Sequence, residues 1–258
     1  MTRQTQPTRI DGRLIVGGMA HDFDYARLEI LKALADHPNV RVSVTDHFED
    51  VEALESCAFL VTYTCNVHPS KRASEALRGF LARGGRWFAL HATNSLLAWT
   101  SDGVAALPDD TGFIDLLGSQ FVAHPPIGAF QVRVRAPDHP VCRGIADFET
   151  VDELYLSDLA DGLTVLMDTR YAGSAPGFVR ADWSRDEPRP VLYSRSVASG
   201  EVLYCTLGHC RGHWDAPHRT PYYPQVERCS WETPAFRRIL ARGLAWAAGI
   251  EGETDHGS

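Results

Sequence analysis

The chain has 258 residues, 44% apolar and 22% charged, with a formal charge of −8 when its 11 histidines are neutral. A chain of this length buries roughly three-quarters of its unfolded surface and needs no staple; the acidic balance lacks the basic footprint that nucleic acid or an anionic membrane demands. Six cysteines without a C-x-x-C pair read as reduced thiols, Met1–Gly12 carries no apolar signal core, and no run of 18 apolar residues exists, so the expectation is a cytoplasmic protein.

No repeat, low-complexity tract or linker divides residues 11–250, which read as one domain between a flexible arm (1–10) and a flexible tail (251–258). Leu14-Ile15-Val16 followed by Gly17-Gly18 predicts a strand and a turn. Phe23 to His37, with Leu28, Leu31, Leu34 and Ala35 on one face, predicts a helix. Strands follow at Val40–Val44 and Ala58–Tyr63. Ser70 caps a helix with Ala73, Leu77, Phe80 and Leu81 inward, and Gly84-Gly85 stops it. Trp87–Leu90 is a buried strand. This alternation implies an open α/β fold with a mostly parallel central sheet and right-handed crossovers. Farther along, Gly112–Leu117 is a short helix. Phe130–Arg135, Leu163–Met167, Val191–Arg195 and Glu201–Leu207 are strands. Thr233-Pro234 starts a final helix that Gly249 ends.

Open α/β sheets bind ligands outside the carboxyl ends of their strands. His21, His91 and His209 each follow a predicted strand directly. Any one of them alone reads as a loop histidine bonded to backbone or water. Three on one sheet edge read as metal ligands or general bases. Asp22, beside His21, is a candidate to orient it. His124 lies in a Pro-bounded loop and is either a fourth member or a turn residue; His139, before Pro140, reads as structural. The long 210–231 loop holds His213, Trp214, His218, Tyr222 and Tyr223. It reads as a lid or pocket wall, with Trp214, Tyr222 and Tyr223 as substrate contacts. Asp152-Glu153-Leu154-Tyr155 is either a solvated acidic turn or a source of catalytic groups, with Glu153 moving a proton and Tyr155 steadying an oxyanion. No G-x-x-x-x-G-K-[ST], G-x-G-x-x-G, G-x-S-x-G or H-E-x-x-H occurs, so no nucleotide cofactor is expected.

The ordered set of short motifs resembles the ThuA-like (trehalose utilisation) family. It runs Gly17-Gly18 with His21-Asp22-Phe23, Gly84-Gly85-Arg86 with Leu90-His91-Ala92, Leu117-Gly118 with Phe121 and His124-Pro125, and Asp138-His139-Pro140 with Gly144-Ile145. Asp152-Glu153-Leu154-Tyr155, Gly200-Glu201-Val202-Leu203-Tyr204, Leu207-Gly208-His209 and Trp246-Ala247 complete it. Glu201 departs from the family's usual Gly-Arg pair and removes a basic contact. The resemblance implies a flavodoxin-like three-layer α/β/α sandwich similar to class I glutamine amidotransferases. His91 stands where those enzymes carry their cysteine, so amidotransferase chemistry is not expected. The resemblance also implies sugar metabolism and a functional link to an oxidoreductase that makes 3-keto-glycosides.

The reading that joins both lines is an enzyme, a hydrolase, lyase or isomerase. It would cleave or isomerise a keto-sugar derivative with a divalent ion, zinc or similar, on His21, His91 and His209, with Glu153, His91 and Tyr155 catalytic and His124 contacting substrate. The alternatives are a non-catalytic carbohydrate-binding or regulatory domain and, ranked last, a hydrolase using Cys65. Partners beyond a small sugar are not indicated; self-association into a homo-oligomer is left open.

Overall fold

In the computed structural model, which describes residues 8–217 and 219–250, strand β1 (Ile10–Gly18) already begins within the predicted arm. Pairing with β2 (Val40–Thr45) starts at Ile10↔Val40 and draws the residues before Leu14 into the ladder. Residues 1–7 of the arm, the whole predicted tail and His218 lie outside the described residues. Between these strands runs α1 (Phe23–Ala35), capped by Asp22, whose carboxylate accepts from Tyr25 N at 3.0 Å. It buries Ala26, Ile30 and Leu34, a clean i, i+4, i+8 row. Leu28 falls off that row and is 51% exposed, contrary to its predicted inward place.

A short helix α2 (Val51–Ser56), not predicted, leads to the fully buried β3 (Phe59–Cys65). Ser70 caps α3 (Lys71–Ala82) as expected, and β4 (Arg86–Leu90) follows. Next come the hairpin β5 (Leu97–Thr100) and β6 (Gly103–Ala106), then α4 (Phe113–Leu117), β7 (Ser119–Ala123), β8 (Gly128–Val134), β9 (Phe148–Asp152) and β10 (Leu156–Leu159). The long strands β11 (Thr164–Ser174) and β12 (Asp182–Val197), then β13 (Gly200–Cys205) and α5 (Pro234–Ala248), complete the chain.

Nine strands form one sheet in the order β2-β1-β3-β4-β13-β12-β11-β8-β9. The first five are mutually parallel, as predicted. The last four add antiparallel, which makes the sheet mixed and not mostly parallel. The cause is loop length: β12 and β13 are separated only by Ala198 and Ser199, too few residues for a parallel crossover. β13, the last strand among the described residues, lies between β4 and β12 and joins the two halves.

Along the parallel strands successive side chains enter different cores, as the period of two requires. Leu14, Val61, Phe88 and Leu203 pack with α1 and α5, whereas Ile15, Leu60, Trp87 and Val202 pack with α2, α3 and α4. Among the described residues no helix is long and apolar enough to cross a membrane.

Candidate functional site

The carboxyl ends of β1, β4 and β13 lie on one edge of the parallel half, with β3 between β1 and β4, and each is followed by a histidine. Gly18, at φ +122°, lets β1 turn sharply: a Cβ there would collide with Cys65 O, so the chain leaves the strand without a side chain and presents His21. His91 follows β4 at φ +47°, a left-handed conformation rare for a residue with a side chain. Tyr204 holds that turn by donating to His91 O, and Asn94 N donates to Tyr204 Oη at 3.1 Å. His209 follows β13, and its turn is tied down by buried Asp152, whose two carboxylate oxygens accept from Gly208 N at 2.9 Å and His209 N at 3.1 Å.

The three imidazoles meet in a buried cluster with Glu153. Each offers one ligand atom, and those atoms all lie within 4.8 Å of one another. Backbone carbonyls assign two tautomers. His21 Nδ1 donates to Met19 O at 3.0 Å, and His91 Nδ1 donates to Thr206 O at 2.8 Å. Each neutral ring therefore keeps a lone pair on Nε2, and those two nitrogens stand 3.0 Å apart. Two acceptors at that distance repel unless a proton or a cation lies between them. His209 Nε2 faces Glu227 Oε2 at 2.8 Å and donates to it, leaving Nδ1 buried, without a hydrogen-bond partner, 3.2 Å from Glu153 Oε1. Three inward nitrogens, each ring held from behind by a carbonyl or carboxylate, match the donor set and backing of a three-histidine metal site. A buried His/Glu group that could hold a metal ion is thus present.

The charges agree with the geometry. Burial, then His91 and His209, hold the His21 imidazolium well below the ordinary histidine range, so His21 is neutral. Burial opposes charge on His209, but Glu153 and Glu227 outweigh it and raise the ring to about 9 in the metal-free protein. Burial pushes Glu153 toward the acid form, yet His124 and His209 overcome it and keep the carboxyl well below its usual range. Glu153 is therefore an ionised buried carboxylate, with His91 Nε2 and His124 Nε2 each 3.5 Å away. Tyr155 Oη donates to His91 Nε2 at 3.1 Å.

A cavity of about 510 Å³ opens onto this cluster, with His21, His124, Glu153 and Tyr155 in its lining. The other predicted contacts lie elsewhere. Trp214 and Tyr222 are 68% and 48% exposed and pack on His213 instead of the cavity. Tyr223 lies over the Arg211 guanidinium. The group that orients His21 is Met19 O, and Asp22 instead caps α1 and pairs with Arg228 at 3.0 Å. Cys65 does line the cavity, but burial, reinforced by Glu153, pushes its thiol up to about 12, which disables it as a nucleophile.

The trehalose utilisation family (ThuA) matches the chain over residues 14–221. This chain belongs to that family. Its fold is similar to the solved structures of two ThuA-like proteins. One is from Bacteroides uniformis, at 16% identity and a TM-score of 0.66, covering 95% of this chain and 94% of that one. The other is from Parabacteroides merdae, at 14% identity and a TM-score of 0.62, covering 93% and 90%. It is also similar to part of a β-galactosidase from Rahnella, at 10% identity and a TM-score of 0.57, covering 94% of this chain but only 32% of that one. No curated protein matches in sequence.

Within this ThuA-family chain, sequence reasoning missed Glu227 and Arg211. Arg211 Nη1 donates to Glu227 Oε2 at 2.9 Å and its Nε to Ala20 O at 3.0 Å, which ties the 210–231 loop to the turn carrying His21. The sequence signal is the loop's length; no local pattern pairs the buried Arg211 with the half-buried Glu227 sixteen residues on.

Proposed function

We propose that this protein is an enzyme that cleaves or isomerises a keto-sugar derivative, using a divalent ion on His21, His91 and His209 with Glu153 beside them. The supporting observation is the pair of inward Nε2 lone pairs, 3.0 Å apart, on rings whose Nδ1 protons are both given to carbonyls. When bound, the ion supplies Lewis-acid polarisation of a substrate carbonyl. A carbonyl also acidifies the C–H next to it. Glu153, ionised and buried, is the group to take that proton, with His124 Nε2 3.5 Å from it. Tyr155, at the cavity wall, gives its hydroxyl proton to His91 Nε2; an ion on that nitrogen would free the hydroxyl to donate to the oxygen on which charge builds. The fold reading that accompanies this is a flavodoxin-like three-layer sandwich, with helices covering both faces of the sheet's parallel half.

Metal analysis of the purified protein, with 3-keto-glycoside turnover before and after chelation, tests the proposal. Expected are about one ion per chain, activity lost on chelation, and His91→Ala losing metal and turnover together. Full activity after complete chelation sinks the metal role. A metal-free protein that binds sugars without turnover favours a carbohydrate-binding or regulatory role.

A further inference from the structure

The cavity has two chemically different ends. The first is the His–Glu cluster. The second is built by the β5–β6 hairpin and the turn between β11 and β12. These close on each other through Val104 N, which donates to Gly177 O at 2.9 Å, and Val179 N, which donates to Val104 O at 2.9 Å. Gly103 permits the approach, because a Cβ there would press on Gly177 O. This wall presents Leu97, Trp99, Val104, Phe121, Pro176 and Phe178 to the cavity. A run of ring contacts connects the two ends: His91 to Tyr155 at 4.7 Å, Tyr155 to Phe121 at 4.5 Å, and Phe121 to Phe178 at 5.8 Å.

A second sugar ring would bring hydroxyls that need partners once water is excluded. The wall offers few. Besides the Trp99 indole, the polar side chains near it are Ser95, Thr100, His124 and Arg219; the Thr100 hydroxyl is already given to Gly103 O at 2.8 Å, and His124, packed on Phe178 at 4.9 Å, gives Nδ1 to Pro125 O at 2.7 Å and turns Nε2 to Glu153. Phe178 and Phe121 expose only ring carbon. A cavity of about 510 Å³ has room for more than one ring.

We infer that the site takes an amphiphilic glycoside, its oxidised sugar ring at the His–Glu cluster and an apolar, aryl-type aglycone against the Trp99–Val104–Phe178 wall. This rests on the proposed reading of the cluster as a keto-sugar site. It goes beyond that reading by making the leaving portion apolar and not a second sugar.

The full-length, metal-loaded protein is titrated with phenyl 3-keto-β-D-glucopyranoside, its methyl counterpart and 3-keto-trehalose. Phenol is added separately and followed by saturation-transfer NMR. The phenyl glycoside is expected to bind at least about tenfold more tightly than the methyl glycoside, the scale for removing a ring from water. Phenol is expected to bind saturably. Phe178→Ala and, independently, Val104→Asn should each reduce the phenyl preference to less than about threefold and weaken phenol binding, with metal content unchanged. Tighter binding of 3-keto-trehalose than of the phenyl glycoside overturns the inference, as does a preference that survives both substitutions. Saturable, Phe178-dependent phenol binding with no binding of any glycoside supports the apolar wall while removing the keto-sugar reading, so the two fail separately.

Discussion

Glu227 Oε2 lies 2.8 Å from His209 Nε2 and 2.9 Å from Arg211 Nη1, so one carboxylate oxygen fixes a ring tautomer and is itself fixed by a buried guanidinium. This turns the inner nitrogen of His209 toward the cluster. Removing the carboxylate frees the ring to rotate or to take the other tautomer. Glu227→Ala is expected to weaken metal binding by about 10- to 100-fold, the usual scale for a group behind a ligand. Glu227→Gln, whose carbonyl oxygen still accepts, should lose less. Competition with a chromophoric chelator reads both, and equal loss in the two variants would argue against tautomer control.

Metal uptake should release a proton. His209 is held up at about 9 without metal, and its Nδ1 must be bare to bind. Apparent affinity should therefore rise about tenfold per pH unit from roughly pH 7 to 8.5, with about one proton released per ion in weakly buffered calorimetry. A flat profile would remove His209 from the ligand set.

The stability of the metal-free protein should run the other way. The folded His209 value lies above the unfolded value of about 6.5, so its contribution is complete below that pH and is lost as pH rises through about 9. His21 is depressed, so acidification below about 6.5 protonates the unfolded chain first and destabilises the fold. The melting temperature is expected to peak near neutrality without metal.

Glu153→Gln should lower turnover by roughly two to four orders of magnitude, and Tyr155→Phe by about two to three. The metal content of Glu153→Gln separates two roles. Retained stoichiometric metal identifies a proton carrier, whereas lost metal identifies a fourth ligand. Wild-type rates in either variant would exclude that residue from the chemistry.

All six cysteines are free, and Cys65 is held up at about 12 by burial and Glu153. Thiol titration in denaturant without reductant should count six. Native protein at about pH 7.5 should leave Cys65 unalkylated, and rapid labelling there would contradict its buried, protonated state.

What could be read in advance divides along physical lines. The strands before His21, His91 and His209 are dense apolar runs, a strong signal, and each ligand candidate lies within a few residues of its strand's end, His91 immediately after it. The buried state of Asp152 and Glu153 was not legible, since an acidic pair beside a tyrosine looks the same in solvent. The β5–β6 hairpin and β7 escaped because strands of four or five residues carry too little periodicity. Trp214 and Tyr222 misled because aromatic content in a loop reports burial only on average, and here they pack on His213 at the surface. Glu227 was invisible because its partner, Arg211, lies across a loop whose path no local pattern determines.

The place of β13 has a consequence for biosynthesis. Among the described strands it is the last in sequence, yet it lies between β4 and β12 in the nine-stranded order. β12 hands over to it across two residues, whereas β4 stays unpaired on that side until it inserts. β4 is complete at Leu90 but its neighbour begins only at Gly200, so the nascent chain carries the open β4 edge through everything between, the situation in which edge-to-edge association competes with folding.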